Sequence, residues 1–79
     1  MKPRDVLNKL KWYGQNLDRA TVTIIHRGAP NDRREINGKD IINLGKGFMN
    51  VRSPEGEVEI PYHRIVKIKV DNKVVWERD

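Results

Sequence analysis

The chain has no cysteine, which excludes disulfide cross-links, thiolate nucleophiles and every cysteine-ligated zinc site. Histidine is almost as scarce. His26 and His63 are the whole supply, and two imidazoles rarely hold a metal without carboxylate help, so neither a metal nor an organic cofactor is expected. Hydroxyl nucleophiles are confined to Thr21, Thr23 and Ser53. No glycine-rich phosphate loop or paired-carboxylate motif stands near either histidine, which disfavours acyl transfer and nucleoside-triphosphate hydrolysis. Long apolar runs are missing too. The longest is Val74-Val75-Trp76, far short of the ~20 residues of a membrane span, and the N-terminus lacks the apolar stretch of a signal peptide. The expectation is a soluble, cytoplasmic protein with no membrane partner. The 79 residues suit a single domain, 1–79, without a large buried active site, because a chain this short buries only roughly 60% of its unfolded surface.

What the chain does have is charge. Charged residues make up 34% and hydrophobic residues 37%, with a mean hydropathy of -0.77, enough Val, Ile, Leu and Trp for one thin core. Lys and Arg number 16 against 11 Asp and Glu, a net charge of +5. Three of the acids cluster at Glu55, Glu57 and Glu59, so the cations elsewhere are locally denser than the net charge suggests. A strongly positive face favours a polyanionic partner, because clustered cations gain affinity by releasing counterions from phosphates.

The patterning predicts an α+β fold: one N-terminal helix and a short second helix packed on a mainly antiparallel sheet of four to six strands. The first helix covers about residues 3–13, with Pro3 in the first turn, Asp5 at the positive helix end and Val6, Leu7 and Leu10 at helical spacing. That face is expected to meet Val22, Ile24, Ile68 and Trp76, with Trp12 also in the core. A polar loop, Gln15 to Arg19, precedes a β-branched strand over 20–27 in which Val22 and Ile24 alternate with Thr21, Thr23 and Ile25. Residues 33–37 read as an edge strand. Lys39 to Leu44, followed by Gly45, reads as the short helix. Residues 48–52 and 57–60 flank a Ser53-Pro54-Glu55-Gly56 loop and form a hairpin. In a final hairpin Val66, Ile68 and Val70 alternate with Lys67 and Lys69. A three-residue Asp71-Asn72-Lys73 loop there sets Val70 opposite Val74, Ile68 opposite Trp76 and Lys67 opposite Glu77.

Each histidine is followed by arginine, as His26-Arg27 and His63-Arg64, at a strand margin beside a Gly/Pro loop. The pairing suits a phosphate: guanidinium offers a planar fork of donors, and imidazole a hydrogen bond whose charge changes near neutral pH. The competing reading is that the histidines cap loops and the arginines are solvated. Tyr62, within Ile60-Pro61-Tyr62-His63-Arg64, either stacks on a base or ribose or packs beneath its loop. Two histidines also permit the acid-and-base scheme for RNA phosphodiesters, with His26 and His63 as the catalytic pair.

His26-Arg27-Gly28-Ala29-Pro30 and Ile60-Pro61-Tyr62-His63-Arg64-Ile65 resemble blocks of the small archaeal family of the RNA cyclic-group-end recognition domain, formerly a conserved domain of unknown function. The opening Pro3-Arg4-Asp5-Val6-Leu7-Asn8-Lys9-Leu10-Lys11-Trp12 and the closing Val74-Val75-Trp76-Glu77-Arg78 match as well, so the resemblance spans essentially the whole chain. It departs in the last hairpin, where the family's Asp-Gly turn is Asp71-Asn72. The resemblance implies an RNA-binding module for termini bearing a 2′,3′-cyclic or terminal phosphate, acting in RNA processing or repair. The domain occurs alone in archaea and is joined elsewhere to domains acting on such ends. Implied partners are RNA with phosphate-bearing ends and an RNA-processing enzyme. The implied phosphate ligands are His26, Arg27, His63 and Arg64, with Tyr62 beside them. Binding is expected rather than catalysis; the alternatives are a metal-independent RNA phosphodiesterase and a protein-interaction module.

Overall fold

A computed structural model describes residues 2–14 and 16–78; Gln15, the start of the expected polar loop, lies outside the described residues. The described residues form one α-helix, α1 (Pro3–Trp12), and seven strands: β1 (Ala20–Ile25), β2 (Arg33–Asn37), β3 (Ile41–Leu44), β4 (Phe48–Ser53), β5 (Gly56–Pro61), β6 (Ile65–Val70) and β7 (Lys73–Glu77). The strands make two antiparallel sheets, one of four strands in the order β2-β1-β6-β7 and one of three in the order β3-β4-β5. The α+β class and the antiparallel pairing match the sequence expectation, while the strands exceed the expected four to six and divide between two sheets. Among the described residues no helix is long and apolar enough to cross a membrane.

α1 starts on Pro3, whose missing N–H costs nothing in the first turn, carries Asp5 in that turn and ends with Lys9 and Lys11 near the negative helix end. It buries Val6 and Leu7, with Leu10 half-buried against the same core. Val22, Ile24 and Ile36 from the four-stranded sheet, Met49, Val51 and Ile60 from the three-stranded one, and Ile65 and Ile68 of β6 complete one continuous cluster, against which Trp76 packs partly buried. Val6 and Leu7 thus share one core with Val22, Ile24 and Ile68, with Leu10 and Trp76 packed against it. Trp12 is not in the core: it is 68% exposed. It sits five residues beyond Leu7, well round a helix of 3.6 residues per turn from the buried face.

The expected short helix over 39–44 is absent. Gly38–Asp40 forms a single tight 3₁₀ turn and Ile41–Leu44 is β3, paired with β4. A brief run such as Ile41-Ile42-Asn43-Leu44 suits either period, and a free neighbouring strand decides it. β6 corrects a second detail. The register shifts between Thr23 and Ile24, so Thr23 faces Lys67 while Ile24 faces Ile65, and Val66 is the extra residue of a bulge. The bulge breaks strict alternation: Ile65 and Ile68, three apart, are buried, and Val66 and Val70 are only half-buried.

The last hairpin combines features of two possible loops. Asp71 and Asn72 both have positive φ, 50° and 69°, and form a two-residue turn with Val70 opposite Lys73 and Lys69 opposite Val74. Val70 therefore does not face Val74. A bulge between Ile68 and Lys69 then restores Ile68 to Trp76 and Lys67 to Glu77, the latter pair 3.6 Å apart. The two Asx residues tolerate the left-handed turn that matches strand twist, and the bulge keeps Trp76 on the core side.

Candidate functional site

The turn Tyr62–Arg64 joins β5 to β6 and thus carries the chain from the smaller sheet to the larger. Tyr62 is 7% exposed, with its ring in the shared core. Its hydroxyl donates to the Gly45 carbonyl at 2.7 Å, and Arg4 Nε donates to the same oxygen at 3.1 Å. The Tyr62 amide donates to the Gly47 carbonyl at 3.4 Å. Loop 45–47 is thereby held to both the helix start and the sheet crossing. Of the two readings of Tyr62, this geometry is that of a ring packed beneath its loop.

Burial raises the Tyr62 phenol above its usual 10.0, opposed by the nearby Arg4 guanidinium, whose charge and hydrogen bond favour the phenolate. A raised phenol keeps its proton in the folded chain where an unfolded tyrosine has lost it. Its contribution to stability is then fully present below pH 10 and is lost as pH rises through the folded value. Denaturant titrations across the alkaline range are expected to show stability falling in the native chain, and falling less in Tyr62→Phe. Identical pH slopes for the two proteins would contradict the assignment.

Arg78 enters the same region from the far end of the chain. Its amide donates to the Val66 carbonyl at 2.9 Å, its Nε to the Ile65 carbonyl at 3.0 Å, and its guanidinium carbon lies 5.4 Å from the centroid of the Trp76 ring. Backbone and ring thus fix the plane of the guanidinium. Together these elements enclose a concavity of about 470 Å³, lined by Lys2, Pro3, Arg4, Asp5, Lys46, Gly47, Tyr62, His63 and Arg78. Four permanent cations and an imidazole face a single carboxylate, Asp5. Among the described residues none of those cations is paired with a carboxylate; the ion pairs there are Arg19–Asp71, Lys67–Glu77 and Lys69–Glu35. Such a concavity attracts anions, and its two guanidinium groups offer the planar donors that phosphate oxygens accept.

A second basic hollow, about 400 Å³, is lined by Ile25, His26, Arg27 and Arg64. β1 ends at Ile25 and β6 begins at Ile65, and the pairing of Ile24 with Ile65 brings His26 and Arg64 to the same end of the sheet. Arg64 donates through Nε and Nη2 to the Ile25 carbonyl at 3.1 and 2.7 Å. The loop beyond folds on itself: the His26 amide donates to the Asp32 carbonyl at 2.7 Å, and the Gly28 amide to Asp32 Oδ1 at 3.3 Å. His26 is half-buried and Arg27 exposed.

The structure thus divides the residues singled out from sequence. His26, Arg27 and Arg64 share one hollow, Tyr62 and His63 another. His26 lines one of these hollows and His63 the other, whereas acid-and-base catalysis needs both imidazoles around one phosphate. Sequence reasoning missed Lys2, Arg4 and Arg78, which carry no local motif. Arg4 and Arg78 do lie within the opening and closing blocks that carry the family resemblance, and that is the signal by which they could have been found.

The family model described as the MJ1316 RNA cyclic group end recognition domain matches residues 1–78. Among curated proteins, the chain is 42% identical over 76 residues to a UPF0248 protein of Thermococcus onnurineus, covering 94% of this chain and 82% of that one. It is 41% identical over 76 residues to a UPF0248 protein of Pyrococcus abyssi, covering 94% and 86%. It is 35% identical over 81 residues to one of Saccharolobus islandicus, covering 99% and 100%. No solved structure matches the chain significantly.

Proposed function

Because the chain belongs to the family of the MJ1316 RNA cyclic group end recognition domain, we propose that it is a binding module for RNA termini carrying a 2′,3′-cyclic or terminal phosphate. The observation that carries this reading is the concavity in which Lys2, Arg4, Lys46, His63 and Arg78 surround a space with one acid. A phosphate there accepts from the Arg4 and Arg78 guanidinium groups and from His63, over the rigid floor that Tyr62 makes. His26, Arg27 and Arg64 flank the site with further positive charge that draws the polyanion in. The domain would hold an end for an RNA-processing enzyme, in RNA processing or repair, within the cytoplasm.

The test is a titration of matched oligoribonucleotides ending in 2′,3′-cyclic phosphate, 3′-phosphate or hydroxyl. Tighter binding of the phosphate-bearing ends is expected, with log affinity falling against log salt by about 0.7 for each phosphate contacted on a single strand. Equal affinity for all three ends, or no binding at low ionic strength, would refute end recognition.

A further inference from the structure

A hollow of different character lies along the same helix as the basic concavity. α1 and β3 lie against each other, with the concavity at one end of their seam, where Arg4 meets Gly45. At the other end is a hollow of about 380 Å³ whose lining includes Lys11, Leu17, Asp18, Ile42, Asn43 and Leu44. Arg4, which lines the concavity, and Lys11, which lines the hollow, are seven residues apart, about 10 Å along one helix side at 1.5 Å per residue. The chain itself links them, since Leu44 lines one and Lys46 the other.

The second hollow carries one cation, Lys11, one carboxylate, Asp18, and one amide, Asn43, beside the apolar Leu17, Ile41, Ile42 and Leu44. Next to Lys11 on the helix, Trp12 is 68% exposed, and Lys11 Nζ, from a residue that lines the hollow, lies 5.1 Å from its ring centroid. Ile42 is 45% exposed. A hollow whose one cation and one carboxylate balance, and whose lining lysine reaches an exposed indole, does not suit a phosphate. It suits a nucleobase: the ring stacks on an aromatic face, and carboxylate and amide groups pair with the base edge.

We infer that the seam between α1 and β3 is a track for single-stranded RNA, in which a base upstream of the terminal phosphate stacks on Trp12 and presents its edge to Asp18 and Asn43. This rests on the proposed seating of the phosphate in the basic concavity. It adds that the protein reads RNA sequence next to the end, and that a bare nucleotide fills only half of the site. Charge along the seam follows the ligand, with cations where phosphate sits and a neutral hollow where the base sits.

The experiment compares the native chain with Trp12→Ala, using a nucleoside 2′,3′-cyclic phosphate and a hexaribonucleotide with the same end. Trp12 is exposed, so its removal leaves the core intact. The expected result is a roughly 5- to 150-fold loss of hexamer affinity, the scale of one stacked base, with unchanged affinity for the mononucleotide. Trp12→Phe should recover most of the hexamer binding, and Asp18→Asn should change the preference among hexamers differing only in the bases next to the end. Native-strength hexamer binding by Trp12→Ala, with end discrimination intact, would overturn the track and leave end recognition standing. Equal losses for both ligands would also overturn it. Failure of the native chain to bind either ligand would overturn both readings, and the exposed indole would then belong to a protein contact.

Discussion

Replacing Gly38 with alanine is expected to cost this domain a large part of its stability. A Cβ at that position would lie 1.8 Å from the Leu17 carbonyl oxygen, 2.9 Å from its carbon and 3.2 Å from the Ala20 carbonyl oxygen. All three are backbone atoms, so no side chain can swing aside. The turn at Leu17–Arg19 that leads into β1 and the turn at Gly38–Asp40 that leads into β3 would have to separate. Overpacking a well-filled core costs about 1 to 3 kcal/mol, and here the obstruction is rigid, so the loss should reach about 3 kcal/mol or more. Typical domain stability, about 0.05 to 0.15 kcal/mol per residue, gives this chain roughly 4 to 12 kcal/mol in total. Thermal unfolding should therefore shift down by about 12 °C or more. Gly47→Ala is the control: nothing lies within 4 Å of its added Cβ, and its unfolding temperature should stay near that of the native chain. A Gly38→Ala variant with native stability would show that the two turns do not approach as closely as described.

The second large effect concerns binding. Arg4→Ala and Arg78→Ala are each expected to weaken binding of a cyclic-phosphate RNA end by about 1.5 to 3 kcal/mol, roughly 10- to 150-fold, the scale of a hydrogen bond to a charged group. The fold should survive either change. Without Arg4, the Gly45 carbonyl still accepts from the Tyr62 hydroxyl; without the Arg78 side chain, its amide still bonds Val66. Each variant should also lose about 0.7 from the slope of log affinity against log salt. Lysine should restore the slope better than the affinity, because an ammonium returns charge without the planar fork. If Arg27→Ala and Arg64→Ala weaken end binding while Arg4→Ala and Arg78→Ala do not, the phosphate sits in the His26 hollow instead.

Much of this architecture was legible along the chain. Local patterns reach far where one element meets one core face: α1 with Val6 and Leu7 inward, β1 with Val22 and Ile24 inward, β2 at an edge with only Ile36 buried, and the β4–β5 hairpin. Turn chemistry likewise marks Asp71-Asn72 as a reversal. Such signals live in spacing and backbone preference, which a few neighbouring residues settle among themselves.

What spacing cannot express is the cost of a register across strands distant in sequence. Residues 41–44 became a strand because β4 offered unpaired backbone, and bulges opposite Thr23 and near Lys69 decided which residues of β6 and β7 turn inward. The candidate site shows the same division. The sequence by itself determined the excess of cations, the His-Arg pairs, the absence of thiols and the scarcity of hydroxyl nucleophiles. Only the tertiary structure joined Arg4 near one terminus, Lys46 in a loop, His63 at a sheet crossing and Arg78 near the other terminus around one concavity, while sending His26 to another. Arg4 and Arg78, from opposite ends of the chain, are held there because the Gly45 and Ile65 carbonyls accept from them and the buried Tyr62 hydroxyl anchors the Gly45 carbonyl.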